Sequence, residues 1–214
     1  KYRIFSLFYI AIVFVTQMAA ENGSHLWLRL PANAHAEISA PRQSPTLNIA
    51  VEELHQAWQG APVQLVNKGT NKLQPEGFRI RHEDNKITLT SPTETGLLYA
   101  AYHLLRMQAT GQNVTATQTT ENPAYSLRIL NHWDNMDRTE NAVMQTIALE
   151  LEELPNTLSD RYKEYARANA SIGINGTVLN NVNASPQILS TEYLQKVKAL
   201  ADIFRPYGLR VYLS

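Results

Sequence analysis

Two short polar clusters, one of which contains a tryptophan, could do chemistry on a carbohydrate. Residues 131–135 read Asn-His-Trp-Asp-Asn, and residues 180–183 read Asn-Asn-Val-Asn. Amides and carboxylates supply the donors and acceptors that sugar hydroxyls need, and an indole ring offers a large apolar face to a sugar ring. Taken singly, each cluster is more typical of a turn or of a core tryptophan. Their positions directly after two consecutive predicted strands favour a sugar-binding site.

Other candidate catalytic groups are weaker. His132 has no second metal ligand at a useful spacing, so we predict no metal site. Glu150, Glu152 and Glu153 lie in a helical stretch, where an acidic run is typical of a solvated helix face. We expect no cofactor.

The elements that must position the two clusters lie in the C-terminal half of the chain. The patterns predict strands at 127–130, 176–179 and 209–213, and helices at 161–170 and 191–204. Pro206 and Gly208 should end the second helix. Strands that alternate with helices predict a parallel βαβ arrangement, in which the carboxyl ends of the strands share one edge. The pattern alone fits both a (β/α)8 barrel and an open doubly wound sheet.

The preceding residues have a different pattern, which predicts a small α+β domain. Apolar spacing indicates helices at 47–58 and 93–107, a strand at 63–66 and a hairpin between 78–81 and 87–90. Thr93 or Ser91 should be the N-cap of the second helix. Residues 108–123 are rich in Thr, Gln and Asn and are predicted to be a linker.

The first twenty residues have the features of a secretory signal. Lys1 and Arg3 precede an apolar run at 4–15, and small residues follow at 19–20. The apolar run is shorter than the ~20 residues that a membrane span requires. We therefore predict a signal peptide at 1–20, a secreted or periplasmic protein, and no membrane contact after signal removal.

The composition and the chain ends bear on the partners of the protein, on its stability and on the completeness of the chain. Nineteen basic and nineteen acidic residues balance, so nothing electrostatic suggests a nucleic acid partner. No cysteine is present, so a secreted chain must rely on its core for stability. The chain starts at Lys1 and stops inside the apolar run 211–214, and we expect it to be a fragment of a longer protein.

Two stretches carry a family resemblance. Residues 128–137 read RILNHWDNMD, and residues 165–184 read YARANASIGINGTVLNNVNA. They resemble the start of the catalytic domain in α-glucuronidases of glycoside hydrolase family 67, and residues 96–106 resemble the end of that family's N-terminal domain. The resemblance implies an α/β chain with a small N-terminal α+β domain at 21–122. It further implies that residues 123–214 form the first three strands and two helices of a truncated (β/α)8 barrel.

The resemblance also implies a substrate and a mechanism. Enzymes of this family remove glucuronic acid or its 4-O-methyl ether from xylan-derived aldouronic oligosaccharides with inversion. Inversion needs an acid and a base ~6.5–9.5 Å apart, and in the family these carboxyls lie on later barrel strands, so no catalytic residue is assigned here. Trp133 and Val182 match positions that form part of the apolar wall around the uronic acid. The full-length enzyme is expected to be a homodimer.

Residues 140–152 depart from the family pattern and suggest a transient frameshift. One set of codons for residues 140–145 encodes Glu-Arg-Gly-Tyr-Ala in a shifted frame, and this peptide matches the family. We interpret the departure as sequencing error or gene decay. An unambiguous new read that encodes residues 140–152 as given would leave only decay or true divergence.

Two alternative functions remain open from the residues. The α+β domain also resembles the one that precedes the barrel in β-hexosaminidases and other exo-glycosidases, although residues 180–183 argue against that specificity. A non-catalytic carbohydrate-binding protein is the second alternative. Carboxylates at later strand ends would mark a hydrolase, and their absence would mark a binding protein.

Overall fold

The N-terminal part of the chain folds into a five-stranded sheet with two helices. This computed structural model describes residues 36–114, 118–131, 154–180 and 186–213. The first elements are β1 (Ile38–Ser39), α1 (Pro45–Ala57), β2 (Val63–Asn67), β3 (Phe78–Glu83), β4 (Lys86–Ser91), α2 (Glu94–Ala109) and β5 (Gln118–Glu121). The strand order is β1-β2-β4-β3-β5. Strands β1, β2 and β4 are parallel, and β3 runs antiparallel to both of its neighbours.

Local signals in the sequence account for the starts of these elements. The Ser44 hydroxyl accepts a hydrogen bond from the Leu47 amide and caps α1. Thr93 Oγ1 accepts from the Gly96 amide at 3.1 Å, so Thr93 rather than Ser91 is the N-cap of α2. Asp84 and Asn85 both have positive φ, which suits the two-residue turn between β3 and β4. The predicted hairpin and both predicted helices are confirmed.

One face of the sheet is buried under α1 and α2. Inward side chains alternate along the strands, as the period of two requires. The apolar core of this layer contains Leu47, Leu54, Trp58, Val63, Leu65, Ile80, Ile87, Leu89, Leu97, Leu98, Tyr102, Leu104 and Leu105. Helix α2 is buried along most of its surface, because it lies between the sheet, α1 and the C-terminal helices.

The prediction of a linker at 108–123 is wrong in part. Residues 118–121 form β5, which pairs antiparallel with β3, so that Phe78 lies opposite Glu121. The strand is at the sheet edge and its four residues are polar, so it lacks the apolar alternation that would reveal it. The backbone of β3 supplies the pairing instead.

The C-terminal part forms a second, three-stranded sheet with helical connections. Its elements are β6 (Ile129–Asn131), α3 (Asp160–Ser171), β7 (Gly176–Val178), a 3-10 turn (Pro186–Leu189), α4 (Thr191–Phe204), a second 3-10 turn (Arg205–Tyr207) and β8 (Arg210–Tyr212). The order is β6-β7-β8, and all strands are parallel. Gly208 follows α4 with φ +75°, as expected for the predicted stop. The chain therefore has a mixed α/β fold.

The second sheet has its own apolar core, and it also touches the first layer. That core contains Leu154, Tyr162, Ala166, Leu179, Leu200, Phe204 and Leu209. The Tyr165 ring stacks on Phe204 at 5.5 Å between centroids, and its hydroxyl lies 3.0 Å from Thr177 Oγ1. Ala170 packs into the first core, and Tyr207 packs against both cores. The division into domains at 21–122 and 123–214 stays a prediction.

The three-stranded part is not expected to fold cooperatively by itself. Residues 127–214 would lose the packing of Ala170 and Tyr207 against the first layer, and Leu194 is already 43% exposed. Thermal melting of this segment, followed by far-UV circular dichroism, should give a broad transition. Residues 36–123, which hold the larger core, are the control and should melt more sharply. A sharp two-state transition for 127–214 would contradict the expectation.

Candidate functional site

The carboxyl ends of the three parallel strands meet at one edge of the second sheet. Asn131 at the end of β6 is in register with Val178, and Val178 is in register with Tyr212. The chain continues from β7 through Leu179, whose amide donates to the Tyr212 carbonyl oxygen at 3.1 Å. The strands that precede the two polar clusters are therefore direct neighbours, as the sequence predicts.

The described residues of this edge are polar and partly buried. Asn131 is exposed, whereas Asn180 is only 1% exposed and lies at the base of the second cluster. Trp133 and Val182 lie outside the described residues, as does the acidic run at 150–153. Their assignment to a substrate pocket stays a prediction, which the adjacency of β6 and β7 makes geometrically reasonable.

A buried ion pair fixes the helix that leads into β7. Arg167 on α3 donates to Glu53 on α1 through two bonds, Nε to Oε1 at 2.5 Å and Nη2 to Oε2 at 2.8 Å. The Tyr102 hydroxyl on α2 donates to Glu53 Oε1 at 3.2 Å. Glu53 is 8% exposed, so a carboxylate without these partners would be costly there. Helices α1, α2 and α3, which come from both layers, are thus joined through Glu53.

The surroundings of Glu53 raise the pKa values of Arg167 and Tyr102. The hydrogen bond that Arg167 donates to Glu53 raises the pKa of the Arg167 guanidinium above its ordinary value. Burial raises the pKa of the Tyr102 hydroxyl, and the nearby Glu53 charge adds to the effect. Arg167 therefore stays charged and Tyr102 stays protonated at neutral pH, so both keep their donors toward Glu53.

A second network lies at the amino ends of the strands, opposite the candidate edge. Asn175 Oδ1 accepts from the Arg128 amide at 2.8 Å, and Asn175 Nδ2 donates to the Ser126 carbonyl oxygen at 2.8 Å and to Glu76 Oε2 at 3.0 Å. The Asn175 carbonyl oxygen also accepts from the Arg210 amide. Arg128 forms an ion pair with Glu76. Asn175 thereby joins the starts of all three parallel strands to the first layer.

Within the ranges that the structure describes, no group of His, Asp or Glu residues is arranged to hold a metal ion. No helix in those ranges is long and apolar enough to cross a membrane.

The family of the chain follows from the sequence of this C-terminal part. Residues 107–214 match the glycosyl hydrolase family 67 middle domain, and this region includes all three parallel strands. The chain belongs to glycosyl hydrolase family 67. The residues that the family match covers are those that build the candidate edge.

Curated relatives of the chain are named alpha-glucuronidase. "Probable alpha-glucuronidase A" of Aspergillus clavatus is 38% identical over 145 residues, which are 67% of this chain and 17% of the relative. The protein of that name from Neosartorya fischeri is 33% identical over 236 aligned residues, which cover 92% of this chain and 28% of the relative. "Alpha-glucuronidase A" of Aspergillus tubingensis is 33% identical over 145 residues, 67% of this chain and 17% of the relative. The family 67 chain thus spans about a fifth of their length.

Solved structures share the fold at low sequence identity. A GH138 enzyme targeting pectin rhamnogalacturonan II superposes with a TM-score of 0.57 at 16% identity, covering 84% of this chain and 24% of the other. A β-N-acetylhexosaminidase of Bacteroides fragilis gives a TM-score of 0.52 at 12% identity, covering 86% and 40%. Because the coverage is so high, these likenesses include both sheets of the family 67 chain.

Sequence reasoning missed the residues that join the two layers. Glu53 and Arg167 are 114 positions apart, and each resembles an ordinary charged helix residue. Asn175 precedes a predicted strand by one position and looks like a turn residue. The sequence offers a signal only for Asn175, which is a polar residue directly before a predicted strand. The structure shows that this residue is buried.

Proposed function

We propose that the protein to which this chain belongs is an α-glucuronidase. The family 67 match over residues 107–214 carries the proposal, and the relatives' printed name agrees with it. The substrates are xylan-derived aldouronic oligosaccharides, from which the enzyme removes glucuronic acid or its 4-O-methyl ether.

The proposed architecture is a small α+β domain followed by a (β/α)8 barrel. Strands β6, β7 and β8 are its first three strands, and further strands complete it in the whole protein. The parallel order and the two helical crossovers support this arrangement. The active site then forms at the carboxyl ends of the strands, where β6 and β7 end side by side.

The roles of individual residues follow from that placement. Trp133 comes two residues after the end of β6, and Val182 comes four residues after the end of β7. We assign both to the apolar wall that covers the uronic acid. An acid and a base on later strands, ~6.5–9.5 Å apart, carry out hydrolysis with inversion. The acid protonates the leaving xylosyl oxygen, and the base activates the attacking water.

Two further properties belong to the proposal. The apolar run at 4–15 supports a signal peptide at 1–20 and a secreted or periplasmic location. The whole enzyme is proposed to act as a homodimer.

The activity can be tested on the full-length protein after its reading frame at 140–152 has been verified. Aldouronic oligosaccharides should release the uronic acid. The β-anomer should be the first product seen by proton NMR, because the bond broken is α and the proposed mechanism inverts the anomeric carbon. An N-acetylglucosaminide serves as the control substrate and should remain intact. Release of N-acetylglucosamine would support a β-hexosaminidase-like enzyme, and oligosaccharide binding without turnover would support a binding protein.

A further inference from the structure

A cavity lies at the junction of the two layers, beside the amino ends of the parallel strands. Its volume is about 220 Å³. Its polar lining includes Glu76, Tyr99, His103, Arg106, Glu121 and Arg128. Because Arg128 and Gly173 precede β6 and β7, the cavity is at the end of the strands opposite the candidate active site. We propose that this cavity is a second carbohydrate site, which binds a single neutral sugar ring.

The charges of the lining favour a neutral ligand. Two arginines and two glutamates balance. Arg128 is occupied by Glu76 and by the carbonyl oxygens of Gly173 and Tyr125. Arg106 donates from Nη1 to the Ser171 carbonyl oxygen at 2.8 Å. Both guanidinium groups thus have protein partners, and a ligand carboxylate would also meet the negative charge of Glu121.

One lining residue supplies a defined hydrogen-bond donor. Arg106 Nη2 lies 3.3 Å from His103 Nδ1, and a guanidinium can only donate. Nδ1 is therefore the acceptor, and the ring proton is on Nε2. Burial lowers the pKa of His103, and the Arg106 charge lowers it further, so the ring is neutral at pH 7. His103 Nε2 makes no hydrogen bond to the described chain and is available to donate.

Tyr99 and Glu121 supply two further polar groups to the cavity. Tyr99 is 6% exposed, and the Arg128 guanidinium lies over its ring, 5.9 Å from the centroid. Arg128 also interacts with the buried Tyr99 hydroxyl, although the two groups do not meet the geometry of a regular hydrogen bond. The Glu121 carboxylate is exposed, and its charge acts on the neighbouring His103 ring. A sugar hydroxyl donates and accepts at once, so it can pair with Glu121 as acceptor and with His103 as donor. The Tyr99 hydroxyl can serve in either role.

Apolar walls and size restrict the ligand further. Phe78 forms one side of the cavity, tilted against His103 with 5.4 Å between ring centroids, and Ile172 is 54% exposed at the lining. These surfaces suit the C–H faces of a sugar ring. The volume is below the ~300–1000 Å³ of pockets that hold drug-sized ligands, so one ring fits better than two.

The test is a titration of the 214-residue chain followed by two-dimensional NMR, with D-xylose and D-glucuronate as probes. The choice of xylose rests on the proposed function, whereas the class of ligand rests on the cavity. Xylose should cause saturable shifts, and glucuronate should bind more weakly. Tyr99→Phe should weaken xylose binding by about 3-fold to 10-fold, and Glu121→Ala by about 10-fold or more. Tyr125→Phe is the matched control, since Tyr125 is 75% exposed and outside the cavity lining.

Several outcomes would overturn the proposal. They are the absence of saturable binding, equal or tighter binding of glucuronate, and xylose binding that neither variant weakens. Glu121 is exposed at a sheet edge, so Glu121→Ala is expected to fold. If Tyr99→Phe does not fold, the xylose affinity of Glu121→Ala alone tests the proposal. The two proposals fail separately, since sugar binding here needs no hydrolytic activity and α-glucuronidase activity needs no binding at this cavity.

Discussion

Replacing Trp133 with alanine in the full-length, frame-verified enzyme is expected to lower kcat/KM for an aldouronic oligosaccharide by about 10-fold to 1000-fold. The residue comes two positions after the end of β6. The proposed function assigns it to the wall that covers the sugar and excludes water near the scissile bond. An aromatic side chain of this size buries ~150–250 Å², so the lost contact is worth a few kcal/mol. At ~1.4 kcal/mol per tenfold change, that loss corresponds to the stated range.

The competing interpretation is that Trp133 belongs to the core, and a matched variant separates the two. Trp58 is a core tryptophan, 3% exposed, whose Nε1 donates to the Ala61 carbonyl oxygen at 2.8 Å. Trp58→Phe should lower the melting temperature and leave kcat/KM of the folded enzyme unchanged. If Trp133→Ala behaves in the same way, Trp133 does not contact the substrate. Both quantities should be measured on one purified preparation of each variant.

Replacing Arg167 with methionine should lower the free energy of unfolding by about 3–5 kcal/mol, because it leaves a buried charge without its partner. Among the described residues, the Tyr102 hydroxyl at 3.2 Å would then be the remaining hydrogen-bond donor to Glu53. Methionine fills most of the volume of the arginine stem, so the change tests the ion pair more than the packing. Urea denaturation of the 214-residue chain, followed by circular dichroism, measures the loss.

A lysine on the same helix provides the control for that experiment. Lys163 is also on α3, and its side chain is 63% exposed and lies 3.8 Å from Asp160. Lys163→Met should change the free energy of unfolding by less than about 1 kcal/mol. Equal losses for the two variants would show that the Glu53–Arg167 pair does not hold the layers together. A double variant, Glu53→Leu with Arg167→Met, should recover part of the loss, since it removes both buried charges.

The sequence allowed most helices and strands to be predicted because their cores are periodic. Helix α4 begins and ends where its apolar spacing and the following Pro206 predict. The parallel strands were predictable as well, since short apolar segments alternate with helices, and their shared carboxyl edge follows from that topology. The strand edge at which the candidate site is placed could therefore be derived without any knowledge of contacts between side chains, and its role in substrate binding stays a prediction.

The missed features are those that depend on distant backbone or on paired charges. Strand β5 has four polar residues and forms only because β3 offers an open edge. The pairing of Glu53 with Arg167 depends on how α1 and α3 are placed in space, which no local pattern encodes. Tertiary placement decides such features, and a single sequence does not reveal it.

The spacing of the two sheets along the chain also sets the order in which they can form during synthesis. The first sheet is complete once Glu121 has left the ribosome. Ile129 of β6 pairs with Gly176 of β7, so β6 stays unpaired until 47 further residues (176 − 129) have been synthesised. At ~5–20 residues per second, translation keeps β6 unpaired for about 2–10 s. The described α+β layer is complete before this interval begins, so the nascent segment can pack against it. We therefore expect the rate of synthesis through residues 129–176 to affect the yield of native protein.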